Sequence, residues 1–236
     1  MTEASYNQFC PVAMAAEILC TRWTVVLLRE LLCGSTRFND LRRGVPRMSP
    51  ALLTKRLRDL EEAGVLERVR LPGAADLHEY RLTAAGRDLM PVIEAMGVWG
   101  HRWIESESAL QKLDPQLLMW DMRRKLDPTP MPPARSTIQV IFTDQPAARR
   151  NYWLVVQPGA TPGAGVDLCS VDPGFEVDLY ATTDLRTMTE IWMGYKTVAA
   201  AKEAGLLVLT GSRALETAIQ KWLGLSPFAK VERMVA

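Results

Sequence analysis

A mainly α-helical domain built on a helix-turn-helix with a basic hairpin, followed by an α+β domain, is the fold class predicted for this 236-residue chain. Three features predict it. Met48 to Leu66, MSPALLTKRLRDLEEAGVL, reads as a short, sharply capped amphipathic helix. Two short alternating segments follow it, joined by a Pro-Gly turn signal. Beyond about residue 134 the period changes from helical to alternating, across a run with four prolines between Pro128 and Pro133.

Bulk properties narrow the classes. Hydrophobic residues make up 48% and charged residues 23%, as in ordinary globular proteins, and the net charge is +1. Both halves are near neutral, so charge must be sought locally. Between Arg37 and Arg58 stand seven basic residues against the single acid Asp40. Such a field suits phosphates. The N-terminus lacks a basic stretch followed by an apolar run, and no apolar segment approaches the ~20 residues that span a bilayer. Four cysteines without CxxC spacing point to a reducing, cytoplasmic setting.

In chain order, Pro11 to Leu19 is a helix with Val12, Ala15, Ala16 and Leu19 along one side. Thr21 is expected to cap a strongly apolar helix over Arg22 to Cys33, which Gly34 stops. A third helix covers Phe38 to Arg43 and is ended by Gly44 and Pro46. In the key stretch, Ser49 caps, Pro50 occupies the first helical position and Gly64 terminates. Leu53, Leu57, Leu60 and, on the flank, Leu52 form the apolar back. Ser49, Pro50, Ala51, Thr54, Lys55 and Arg58 are left as the face that would enter a DNA major groove and meet bases. Arg37, Arg42, Arg43, Arg47 and Arg56 would hold phosphates. The hairpin of Leu66 to Leu71 and Leu77 to Leu82 carries Arg68, Arg70 and His78. A basic hairpin directly after such a helix is a wing, suited to the DNA backbone. Thr83 is expected to cap a long helix from Ala84 to about Ser108, interrupted near Pro91. Its stripe of Leu89, Val92, Ile93, Met96, Trp99, Trp103 and Ile104 is most economically buried against a second copy, giving a homodimer.

Cys10-Pro11-Val12, Arg22-Trp23, Leu28-Arg29-Glu30-Leu31, Arg37-Phe38-Asn39-Asp40-Leu41, Met48-Ser49-Pro50, Leu60-Glu61-Glu62-Ala63-Gly64 and Glu79-Tyr80-Arg81-Leu82-Thr83 occur in that order. Over about residues 6–105 the chain thereby resembles the HxlR family of winged helix-turn-helix transcription regulators. The resemblance implies a homodimer on an inverted-repeat double-stranded DNA operator, with the helix from Ser49 in the major groove. Pro72 to His78 departs from a strongly basic wing tip. The resemblance also implies that Cys10 is a candidate redox sensor, as in some family members. A helix starting at Pro11 would lower its thiol pKa; the other reading of Cys10 is an inert residue packed at a dimer seam.

Residues 1–108 are expected to form the DNA-binding and dimerisation domain, 109–134 a helix (Ser108 to Arg124) and a proline-rich linker, and 135–236 the second domain. In the last, Thr137 to Phe142, Asn151 to Gln157, Val166 to Ser170, Glu176 to Thr182 and Leu206 to Thr210 read as strands. Pro158 to Gly165 reads as a connecting loop. Helices are expected over Leu185 to Met193, Val198 to Ala204 and from Ser212 through Trp222. Asp178 to Asp184, Leu185 through Trp192 and Leu206 to Leu223 resemble sterol-carrier-like domains, which enclose an apolar tunnel. That implies an apolar small-molecule effector lined by Leu185, Met188, Ile191, Trp192, Val198, Leu206 and Leu223; plain core packing is the alternative for each.

No catalytic set, metal-ligand spacing, cofactor fingerprint or phosphate-binding glycine loop is present, so no enzyme, metal or cofactor is expected. Two further readings stay open: a lipid or small-molecule carrier whose N-terminal domain serves association, and a regulator acting through Cys10. The basic run from Arg37 to Arg58 speaks against the carrier, since an association module needs no basic front.

Overall fold

Ser49 accepts a hydrogen bond from Leu52 N (3.3 Å), Pro50 follows it, and a 13-residue helix begins where the spacing predicts one. The computed structural model describes residues 5–72 and 77–235. It divides into two compact units, up to Gly97 and from Val98 onward.

The first unit contains α1 (Pro11–Leu19), α2 (Thr24–Leu32), α3 (Phe38–Gly44), α4 (Pro50–Glu62), β1 (Leu66–Arg70), β2 (His78–Leu82), α5 (Ala84–Arg87) and the start of α6 (Met90–Trp103). Leu27, Leu28 and Leu31 of α2, Leu41 of α3 and Leu53, Leu57 and Leu60 of α4 close its core with Val65, Leu66 and Ile93. The 3.6-residue stripe of each helix points inward, which fixes the opposite face of α4 toward solvent. β1 and β2 pair antiparallel, with Arg68 opposite Tyr80 and Arg70 opposite His78. Thr83 ties the base of this hairpin to the end of α4 by donating to Gly64 O (2.8 Å). The turn expected at residues 73–76 lies outside the described residues.

One N-terminal expectation is corrected and another is sharpened. Thr21 is not a helix cap: α2 begins at Thr24, because Trp23 before it takes a left-handed backbone (φ 79°). The interruption expected near Pro91 in the helix from Ala84 is a restart, and the second part ends at Trp103, short of Ser108. Thr83 does cap, accepting from Gly86 N (3.2 Å), yet α5 lasts one turn and α6 restarts at Met90. Pro91 falls in the first turn of α6, where a missing N–H leaves no hydrogen bond unmade. Gly86 is required for another reason: a Cβ there would sit 2.1 Å from Val65 O.

The second unit holds α7 (Ser106–Leu110), α8 (Pro115–Lys125), β3 (Ser136–Phe142), β4 (Asn151–Thr161), β5 (Ala164–Cys169), β6 (Leu179–Thr183), α9 (Leu185–Met193), α10 (Val198–Glu203), β7 (Leu207–Gly211) and α11 (Arg213–Trp222). The sheet order is β5-β4-β3-β6-β7, with β3 and β6 parallel and the other pairs antiparallel. Ile138, Val140, Phe142, Leu154 and Leu179 present one sheet face to Met188, Ile191, Leu215, Ile219 and Trp222 of the helices. A mixed α+β unit results, as expected.

Here too the structure moves boundaries. The helix expected over Ser108 to Arg124 is two, because Asp114 caps a fresh start by accepting from Gln116 N (3.0 Å) and Leu117 N (3.1 Å). The proline-rich segment is no free linker: Leu126 and Met131 are buried in the same core as Leu118, Met119 and Met122 of α8. Asp127 N also donates to Trp222 O (2.9 Å). The loop expected at Pro158 to Gly165 shrinks to a turn, since Thr161 pairs with Ala164. Pro158 is tolerated because β3 stops pairing with β4 at Val156, so no partner awaits an N–H there. β6 starts at Leu179 rather than Glu176.

A feature the spacing did not announce is the C-terminal tail. Arg233 donates to His101 O and Ile104 O (both 3.1 Å) and to the Tyr195 hydroxyl (3.0 Å), and Met234 N donates to Arg102 O (2.9 Å). Helix C-termini leave carbonyls unpaired, and the tail satisfies three at the end of α6. Burial, followed by the nearby Arg233 charge, holds the His101 imidazole below its ordinary pKa.

Candidate nucleic-acid interface

The solvent face of α4 is set by its buried leucines. With Leu53, Leu57 and Leu60 inside, Ser49, Pro50, Ala51, Thr54, Lys55 and Arg58 are all exposed. The Thr54 hydroxyl donates back to Pro50 O (3.0 Å), a local bond that fixes its rotamer. Among the described residues no ion pair engages Lys55 or Arg58. Ser49→Ala should remove the cap and cost about 1 kcal/mol of stability, read as a lower midpoint in urea unfolding with an unchanged slope.

Of the expected phosphate-facing residues, Arg42, Arg43 and Arg47 are exposed around the end of α3 and the turn into α4. Arg43 pairs with Asp40 (3.2 Å) on its own helix. Arg37 pairs with Glu79 of β2 (3.2 Å), and Glu79 also holds Arg81 (2.8 Å). These are surface pairs of small energy, which phosphates can outcompete. Arg56 departs from its expected role. Its side chain is only 13% exposed, donating from Nε to Arg22 O (3.1 Å) and pairing with Asp59. It braces α4 against the segment before α2 instead of facing outward. On the hairpin Arg68 lies 3.2 Å from His78 Nδ1, while Arg70 is exposed.

The residues expected around an effector are placed less selectively. Leu185, Met188, Ile191, Trp192, Val198 and Leu223 are buried in the second unit's continuous core. Leu206 differs: it is 40% exposed, ahead of β7, its carbonyl accepting from Thr183 Oγ1 (2.8 Å). Its side chain falls outside that core because Leu207 points inward, and consecutive residues of an extended chain take opposite faces.

Cys10 immediately precedes α1 and is exposed. The nearby backbone N–H groups of Ala13 and Val12, in the first turn of α1, hold its thiol below the ordinary thiol range.

A helix-turn-helix with an exposed, basic second helix and a following antiparallel hairpin defines a winged helix-turn-helix DNA-binding domain. The sequence pattern of HxlR-like helix-turn-helix proteins matches residues 18–108. The chain is 39% identical over 102 residues to an HTH-type transcriptional regulator of Synechocystis sp., covering 43% of this chain and 76% of that protein. It is 34% identical over 100 residues to the HTH-type regulator YvaP of Bacillus subtilis, covering 42% of this chain and 93% of that one. With an HTH-type regulator of Mycobacterium bovis it shares 42% identity over 95 residues, spanning 58% of that relative's length. The chain belongs to the HxlR-like helix-turn-helix family of transcriptional regulators. Among solved structures, the reduced redox regulator HypR shares 33% identity with a TM-score of 0.37, over 39% of this chain and 90% of that one. Reduced YodB of Bacillus subtilis shares 31% with a TM-score of 0.36, over 39% and 92%.

Among the described residues no group of three or more His, Cys, Asp or Glu side chains is arranged to hold a metal ion, and no single helix is long and apolar enough to cross a membrane.

Proposed function

We propose that this regulator is a homodimer that reads an inverted-repeat duplex by inserting α4 into the major groove, under control of an apolar small molecule taken up by its second unit. The observation that carries the DNA reading is the division of α4 into a buried leucine back and an exposed face of Ser49, Ala51, Thr54, Lys55 and Arg58 beside exposed arginines of α3. Exposed Val92, Met96, Trp99 and Trp103 on α6 support the dimer. The effector reading rests on the sterol-carrier resemblance and on a mixed sheet with one face closed by apolar helices. A gel shift with the DNA flanking the chain's own coding region tests the first part: preferential retention over scrambled duplex is expected. Native mass spectrometry of the purified protein tests the effector. A co-purified apolar molecule is expected, and a clean apo mass under non-denaturing conditions removes that part of the reading.

A second reading, that Cys10 senses oxidants or electrophiles, is favoured by its exposed thiol at the start of α1 with a lowered pKa. Lowering the pKa enriches thiolate at a given pH, so alkylation of Cys10 should set in at lower pH than for an unperturbed thiol. Peroxide should weaken DNA binding by the native chain and not by Cys10→Ser. An equal response in both removes the sensor reading.

A further inference from the structure

Glu30 of α2 is completely buried, an unusual place for a carboxylate. Its Oε1 accepts from Ser35 Oγ (2.6 Å), and its Oε2 lies 3.3 Å from Arg29 Nη2. The same Arg29 nitrogen donates to Gly44 O (3.3 Å), the carbonyl of the last residue of α3. Gly44 is pressed onto the acid. A Cβ at that position would lie 1.9 Å from Glu30 Cδ and 2.1 and 2.4 Å from its oxygens. Gly44 is not in the left-handed region, so the missing side chain answers to this approach and not to helix termination, the role its spacing suggested.

An apolar residue would join α2 to α3 at lower desolvation cost than a buried acid. What the carboxylate adds is direction, because its pairing with Arg29 holds the guanidinium that donates to Gly44 O at the end of α3. From Gly44 only Val45 to Met48 intervene, with Met48 N bonded to Val45 O (2.9 Å), before Ser49 caps α4. We infer that Glu30 is a positioning residue for DNA recognition: through Arg29 and Gly44 it sets the exit of α3 and hence the orientation in which α4 meets the groove. The inference rests on α4 being the reading helix. It assigns Glu30 no contact with DNA.

The test uses full-length protein and a duplex that the wild-type chain selects from a randomised pool, with a scrambled duplex as the second arm. Fluorescence anisotropy follows both while thermal unfolding of each variant is recorded. Glu30→Gln keeps the size and removes the charge. It should bind the selected duplex at least tenfold more weakly, with affinity for scrambled duplex and the salt slope unchanged, since the phosphate-facing residues are untouched. Gly44→Ala should lose thermal stability by clashing with Glu30. Adding Glu30→Ala to it should recover much of that stability without restoring sequence preference. The inference is overturned if Glu30→Gln folds and keeps its preference, if both duplexes weaken together in step with lost stability, or if the double variant regains preference. A wild-type chain that selects no sequence overturns the groove reading itself and the inference with it.

Discussion

Lys55→Ala is expected to weaken binding to every duplex, whereas Arg58→Ala is expected to erase preference among duplexes. The distinction follows from chemistry. An ammonium is a compact point charge that neutralises phosphate; losing one phosphate contact lowers the slope of log affinity against log salt by about 0.9. A guanidinium offers a planar fork that fits guanine O6 and N7, and such a pair discriminates by roughly 1–3 kcal/mol, or about 5- to 150-fold. Both side chains are exposed, so neither change should move stability by more than about 0.5 kcal/mol. Arg56→Ala supplies the contrast: tied to Arg22 O and Asp59, it should lose stability and leave the salt slope alone. Titration of selected and scrambled duplexes at three salt concentrations reads all three variants. If Lys55→Ala and Arg58→Ala both bind as wild type does, this face of α4 does not touch DNA.

The face was legible because three local signals agree on it. Ser49 and Pro50 mark the start of α4, Leu53, Leu57 and Leu60 mark its inner side, and Ala51, Thr54, Lys55 and Arg58 fall on the opposite side. α9 and α11 were legible from their starts, with Asp184 and Ser212 each accepting from a backbone N–H three residues on. What could not be read depends on partners distant in sequence. Arg56 looks like another basic residue until Arg22 O, 34 positions away, claims its Nε. Gly44 looks like a helix stop until Glu30 is placed beside it. The run from Asp127 to Pro133 has linker composition, yet Leu126 and Met131 are anchored by a core assembled mostly from residues after Ser136. Apolar periodicity identified the buried side of α9 equally well, but it does not separate a residue lining a ligand from one packing a core.

Replacing Met96 and Trp99 together by Glu should abolish the proposed dimer while leaving the protomer folded. Val92, Met96, Trp99 and Trp103 recur at spacings of three or four on α6, and Trp99 is 61% exposed. An isolated exposed apolar residue is unremarkable, whereas four on one helix face, two of them tryptophan, mark a surface made to be covered. Exposure in the single chain also means that the substitutions remove few contacts within it. In a two-fold interface each change is felt twice, once per protomer. Burying one such side chain contributes about 1.5–3 kcal/mol, and a carboxylate brought into the seam adds a desolvation penalty. The dissociation constant of the dimer should therefore rise by well over 100-fold, measurable by sedimentation equilibrium alongside an unchanged far-UV circular dichroism spectrum. Binding to a two-half-site duplex should fall with it, because each protomer then binds alone and loses the joint engagement of both half-sites. A double variant that remains dimeric would place the self-association surface elsewhere, with the exposed Phe9, Val12, Met14 and Ile18 around α1 as the next face to charge.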